Sequence, residues 1–139
     1  MEITLNHTIV PSLDRSVSAK WYETIFGFEY LKDWGPFAVV RVNSTLSLDF
    51  METGAKIPLH HYAFKVDDQA FDDILSRVLA GNIKISSNPH RMSDDTYDGE
   101  INHLYGGRGV YFKDPNGHML EILTVDYDLE FDPTLKPAN

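Results

Sequence analysis

The sequence predicts an α+β fold: two βαβββ modules forming a curved mixed sheet around a metal or ligand cleft. Three observations carry this. The segment from Leu5, LNHTIVPSLDRSVSAKWYETIFG, aligns without gaps with the segment from Leu59, LHHYAFKVDDQAFDDILSRVLAG, at an offset of 54 residues (59 − 5). In both copies a histidine precedes a glycine by 20 residues (27 − 7 and 81 − 61). Leu48-Asp49-Phe50 and Leu120-Glu121-Ile122 then share a pattern, so the copies also end alike. A repeat of this kind marks one structural unit used twice.

In chain order, the β-branched run from Ile3 to Val10 predicts a first strand. Acidic and hydroxyl residues suited to capping follow it, opening a helix. Val17, Trp21 and Ile25 form one stripe of that helix, with Ala19, Tyr22 and Phe26 beside it, before Gly27 stops it. So wide an apolar arc implies burial on a sheet. Strands are expected around Phe28 to Leu31, Phe37 to Val42 and Thr45 to Phe50, and the stretch from Met51 to Pro58, broken by Gly54, reads as a linker.

The second copy starts with a strand from His60 to Val66. Its helix places Phe71, Ile74, Leu75, Val78 and Leu79 on one face, and Gly81 is expected to supply a left-handed end. Strands are expected from Ile83 to Ser86, Gly109 to Lys113 and His118 to Thr124, the last two joined by the turn Asp114-Pro115-Asn116-Gly117. The chain thus reads as one domain, residues 1–139: module one 1–50, linker 51–58, module two 59–127 and a tail, 128–139. Two prolines and several acids suggest that the tail wraps the surface without regular structure. The last strands differ by 72 residues (121 − 49), which assigns 18 extra residues (72 − 54) to the stretch from Asn88 to Gly107. Loops of that length tend to be functional or disordered.

Composition narrows the chemistry. The 139 residues are 42% apolar and 24% charged, as in ordinary globular proteins. There is no cysteine, so any metal must be held by nitrogen and oxygen ligands from six histidines and 21 carboxylates. A formal charge of −9 argues against nucleic acid and anionic membranes as partners and points to a small-molecule substrate. No apolar run suits a bilayer span, and the Met-Glu-Ile-Thr start lacks the pattern of a signal peptide. A cytoplasmic location is therefore expected.

Side chains alternate across a strand, so Leu59, His61, Ala63 and Lys65 share one face, while His60, Tyr62, Phe64 and Val66 face the helix. Leu120 and Ile122 pack inward, which turns Glu121 with Met119 toward a partly open face; by the repeat, Asp49 and His7 do the same. Four candidate ligands therefore converge on one surface. A lone strand histidine is ordinarily a solvated residue, but here its position recurs with a carboxylate at the matching strand end. Two imidazoles and one carboxylate, with open positions beside them, suit one divalent ion per site: Fe(II), Mn(II), Zn(II) or Ni(II).

Asn6-His7-Thr8, Trp21-Tyr22 through Gly27-Phe28, His61-Tyr62-Ala63-Phe64 and the run from Tyr111 through Asp114-Pro115-Asn116-Gly117 to Glu121 resemble the vicinal-oxygen-chelate superfamily. That superfamily includes glyoxalase I, fosfomycin-resistance enzymes, extradiol dioxygenases and bleomycin-binding proteins. The resemblance covers roughly Ile3 to Tyr127 and implies that His7, His61 and Glu121 are the metal ligands. Asp49 falls where glyoxalase I has a fourth ligand, usually glutamate. Tyr111 falls where the fosfomycin enzymes have a tyrosine, yet no arginine lies between Asp126 and Asp132, where they bind phosphonate. Ile101-Asn102-His103 followed by Val110-Tyr111 is similar to the extradiol signature, implying that His103 and Tyr111 act beside iron. Those enzymes usually carry four modules, whereas this chain carries two.

The expectation is a metalloenzyme acting on a small substrate that chelates the ion through adjacent oxygens, leaning to extradiol-like ring cleavage. His103, Tyr111 and Asp49 are the catalytic candidates; an imidazole suits proton transfer near neutral pH. One alternative is a glyoxalase-like isomerase or lyase using Asp49 as base. Another is a metal-free drug- or metabolite-binding protein with Trp34, Phe37, Tyr97 and Tyr105 lining an aromatic groove. Exposed sheet edges and the habit of relatives predict a homodimer. His60, His90 and His118 read as structural or surface residues; Arg91, Asp94, Asp95 and Asp98 read as solvated, with a lid as the alternative.

Overall fold

A computed structural model describes residues 1–93 and 95–130 of the chain. Its first half runs β1 (His7–Ser12), α1 (Arg15–Phe26), β2 (Glu29–Trp34), β3 (Phe37–Arg41) and β4 (Ser47–Glu52). Asp14 starts the helix by accepting from the Ser16 and Val17 N–H groups at 3.0 Å each, and Gly27 ends it at φ 78°. The sheet order is β1-β4-β3-β2, with β1 parallel to β4 and the other pairs antiparallel. The strand expected from Ile3 begins only at His7. Its neighbour β4 begins at Ser47, opposite His7, so residues 3–5 have no ladder to join. Pro11 is tolerated within β1 because this is an edge strand.

The second half runs β5 (His61–Lys65), α2 (Asp68–Ala80), α3 (Pro89–Ser93), a 3₁₀ turn (Leu104–Gly106), β6 (Gly109–Lys113) and β7 (Met119–Leu123). Its order is β5-β7-β6, with β5 parallel to β7 and β6 antiparallel to it. Two expectations need correction. The strand from Ile83 to Ser86 is reduced to a bridge in which Ser86 exchanges backbone bonds of 3.0 and 2.9 Å with Tyr111. Its neighbours are bonded to the inserted stretch instead: Gly99 donates to the Ile85 carbonyl at 3.0 Å, and the Ser87 N–H reaches Asp98 at 2.9 Å. The left-handed residue after α2 is Asn82 at φ 56°, not Gly81 at φ −83°. Gly81 still donates a helical bond to Arg77 at 3.0 Å, so the stop passes one residue on. The linker, once β4 has run to Glu52, is residues 53–60.

A shared core joins the halves. From α1, Tyr22 meets Phe50 of the first sheet at 4.8 Å, while Phe26 meets Phe64 and Phe112 of the second at 5.0 and 6.0 Å between ring centroids. Burying a large apolar side chain contributes roughly 1.5–3 kcal/mol, so these rings dominate the packing. Val10, Val40, Leu48 and Phe50 line the inner face of one sheet, and Val110, Phe112, Leu120 and Ile122 that of the other. The residues alternating with them, including His7, Asp49, His61 and Glu121, therefore lie on faces turned away from the common core. Val17 and Leu79, expected to be buried, are exposed at the margins of their helices.

Between β6 and β7 the turn forms a polar latch on the first half. Asp114 accepts from the Tyr22 hydroxyl at 2.8 Å and from the backbone of Asn116 and His118 at 2.9 Å each. Burial, then the Asp114 charge, raise the Tyr22 hydroxyl well above the usual phenol range, so it stays a donor. Asn116 accepts from the Leu13 N–H at 2.8 Å and donates to Ser18 at 2.9 Å. His118 is fully buried: Nε2 donates to the Pro11 carbonyl at 2.7 Å, and Nδ1 accepts from the His60 N–H at 3.0 Å. Removing Asp114 would orphan several buried donors at once. Asp114→Ala is therefore expected to cost about 3 kcal/mol or more in urea unfolding; a loss below about 1 kcal/mol would contradict the latch.

Asp98, expected to be solvated, organises the inserted stretch by also accepting from the Ser87 hydroxyl and, at 3.0 Å, from the Glu100 N–H. Asp95 is exposed. The Arg91 side chain, Asp94 and residues 131–139 lie outside the described residues, so the readings made for them do too. Among the described residues no helix is long and apolar enough to cross a membrane.

Candidate metal and substrate site

Strand register confirms that the two halves present equivalent positions. His7 lies opposite Ser47 and Ile9 opposite Asp49 in the first sheet; His61 lies opposite Met119 and Ala63 opposite Glu121 in the second. In the second sheet the equivalence yields a contact: His61 Nε2 stands 3.1 Å from Glu121 Oε1. His7 and Asp49 make no such contact among the described residues. Aspartate is one methylene shorter, and Asp49 Oδ1 instead accepts from the Ser47 hydroxyl at 3.4 Å.

Both imidazoles are oriented alike. His61 Nδ1 donates to the Met119 carbonyl at 3.0 Å, and His7 Nδ1 donates to Asn6 Oδ1 at 2.7 Å. Each bond leaves Nε2 as the basic nitrogen, the arrangement in which an outer partner fixes a metal-binding tautomer. Two lone-pair carriers facing each other at 3.1 Å require a proton or a cation between them. Two ligands about 2.1 Å from one ion at right angles lie roughly 3 Å apart, so the His61–Glu121 pair fits a divalent metal.

Glu121 lies on the outer face that strand parity predicts, beside exposed His61, but is itself only 3% exposed. Tyr127, which the repeat does not indicate, covers it by donating to Oε2 at 2.6 Å. Tyr111 lies across from Glu121 in the register, packs its ring on His61 at 6.1 Å, and donates to the Tyr127 oxygen at 3.1 Å. Burial first, then the Glu121 hydrogen bond, push the Tyr127 hydroxyl far above the usual phenol range; burial also raises Tyr111. Both stay protonated at neutral pH. Tyr127 lies beyond the end of β7, where hydrophobic periodicity has no further hold on the chain.

His7 and His61 each open on a hollow of about 420 Å³. His7 shares its hollow with Asn6, Leu31, Trp34, Val39 and Asp49, and Asp49 itself is only 7% exposed. His61 shares its own with Leu59, Lys113 and Met119. One chain thus joins His61 to Glu121 and leaves His7 with Asp49 elsewhere. Among the described residues no three histidine or carboxylate groups come close enough to share an ion.

His103 precedes the 3₁₀ turn and lines a third hollow with Asp67, Asp68, Arg108, Thr124 and Val125. Arg108 is tied to Asp68 and Asp72 at 3.0 and 2.6 Å and lies over the Phe71 ring. From the same turn it is Tyr105 that reaches the Glu121 cluster, packing on Tyr127 at 5.3 Å. The four aromatics expected to share a groove are dispersed. Trp34 pairs with Phe37 near His7, Tyr105 packs on Tyr127, and Tyr97 lies under Lys84 in another hollow.

Comparison with known proteins agrees with this layout. The chain is similar to two solved structures, the oxidase ChaP-H2 (42% identity, 91% of this chain and 97% of that one, TM-score 0.85) and the oxidase ChaP-H1 (43%, 90% and 98%, TM-score 0.82). It is 23% identical over 126 residues, 87% of this chain and 82% of the relative, to metallothiol transferase FosB of Lysinibacillus sphaericus (strain C3-41). Residues 4–122 match the family model of the Glyoxalase/Bleomycin resistance protein/Dioxygenase superfamily. Register, repeat and relatives agree, and the chain belongs to that superfamily, the vicinal-oxygen-chelate proteins.

Proposed function

We propose that this protein is an oxygen-using metalloenzyme that acts, by extradiol-like ring cleavage, on a small substrate chelating the ion through adjacent oxygens. The observation that carries the reading is the His61 Nε2–Glu121 Oε1 pair at 3.1 Å, its tautomer set by the Met119 carbonyl. The likeness to two oxidases at 42 and 43% identity supports oxygen chemistry over the other reactions of the superfamily. A bound Fe(II) or Mn(II) would supply Lewis acidity and a place for oxygen. His61 and Glu121 would hold it, and Tyr111 would hold its proton beside the substrate.

The third ligand in this proposal is His7 of a second copy. β1 carries His7 and β5 carries His61, and each is an edge strand of its own sheet. Edge strands invite pairing, and a two-fold arrangement would bring each His7 to the other copy's His61 and Glu121. Asp49, which lines the same hollow as His7, favours a second reading, a glyoxalase-like isomerase in which this carboxylate is the base.

Oxygen uptake by Fe(II)-loaded protein with a catechol panel tests the choice. Consumption of oxygen with at least one catechol, abolished by a chelator, is expected. No uptake with any catechol, alongside turnover of a hemithioacetal, would replace ring cleavage by isomerisation; binding of an intact ligand without turnover would favour a binding protein. His103 lines a hollow apart from the His61–Glu121 pair; we propose that it transfers a proton in the ring cleavage once the inserted stretch folds over bound substrate. His103→Ala is expected to lower turnover roughly a hundredfold and leave metal content unchanged. Unaltered turnover would reduce His103 to a loop residue.

A further inference from the structure

The two oxygens of Glu121 have unequal surroundings. Oε1 faces His61 Nε2 at 3.1 Å, while Oε2 accepts from the Tyr127 hydroxyl at 2.6 Å. Resting on the metal reading above, we propose that Tyr127 is a positioning residue: it occupies the outer oxygen of Glu121 and restricts this carboxylate to one-oxygen ligation. Neighbouring positions on the ion then stay open for the paired oxygens of a substrate.

A carboxylate binds metals through one oxygen or two with little to choose between them, so something must hold it to one. A phenol donating to a carboxylate at this distance is a charge-assisted hydrogen bond, which would have to break before Oε2 could turn to the ion. Tyr127 is itself held on two sides. Tyr111 donates to its oxygen at 3.1 Å, and the Tyr105 ring packs on its ring at 5.3 Å. Tyr105 sits in the 3₁₀ turn of the inserted stretch at φ 57°, a conformation uncommon for a residue with a side chain. The first module has neither the insertion nor a tyrosine at this place, and Asp49 there meets Ser47 instead. The insertion thereby carries Tyr105 against the residue that fixes Glu121.

Cobalt(II)-loaded parent and Tyr127→Phe proteins test this, because the phenylalanine keeps the ring against Tyr105 and removes only the hydroxyl. The variant is expected to show the weaker visible bands of a higher coordination number, and a KM raised about tenfold with kcat less affected. Tyr105→Leu should move the spectrum the same way by a smaller amount, and serves if Tyr127→Phe fails to melt like the parent. A variant spectrum superimposable on the parent's, with KM unchanged, overturns the proposal alone. A parent that takes up no cobalt overturns the metal reading, and this proposal with it.

Discussion

Mixing two inactive variants, His7→Ala and His61→Ala, is expected to restore about a quarter of the parental activity after subunit exchange. If each site takes His61 and Glu121 from one copy and His7 from the other, a mixed dimer has one site lacking both histidines and one lacking neither. Random pairing makes about half of the dimers mixed, each with one intact site of two. The prediction follows from the placement of β1 and β5 at separate sheet edges, on faces turned from the shared core. Co-refolding followed by the oxygen assay reads the recovery, with sedimentation confirming that both variants dimerise. A mixture as inactive as its parts would mean that His7 does not act across copies.

The second large effect concerns the proposed metal. Loss of outer hydrogen-bond partners typically weakens a metal site roughly ten- to hundredfold, so removing a direct ligand should do more. His61→Ala is expected to weaken divalent-metal binding by at least about a thousandfold, measured by titration calorimetry. The effect is large because the substitution leaves Glu121 with a buried carboxylate and no imidazole opposite it. Equal affinity of the parent and the double variant His7→Ala, His61→Ala would show that the ligands lie elsewhere.

Much of this was legible in the sequence because the repeat encodes register. A shift of 54 carries His7 onto His61, a shift of 72 carries Asp49 onto Glu121, and the ladders pair them alike, Ile9 opposite Asp49 and Ala63 opposite Glu121. Strand alternation also separated Tyr62 and Phe64, packed on the core, from exposed His61. What alternation cannot express is where a face points in space. His7 and His61 each lie on the outer face of their own sheet, and those faces open on separate hollows. The lost strand at Ile83 to Ser86 has a different cause, since Gly99 takes the Ile85 carbonyl and Asp98 holds the Ser87 N–H just beyond it. Tyr127 was illegible for a third reason: six residues past Glu121, it returns to the site through a bend that no periodicity marks.

A site divided between two copies across the edges of β1 and β5, as proposed above, would have a kinetic corollary. A catalyst whose parts are divided between two identical chains obeys mass action, so activity per milligram declines on dilution below the dissociation constant of the pair. Any substrate gripped from both sides acts as a molecular glue, and saturating amounts should protect the diluted protein from that decline. The working quantity of such an enzyme in a cell would therefore be set by the square of its abundance when scarce, and only by its abundance when plentiful.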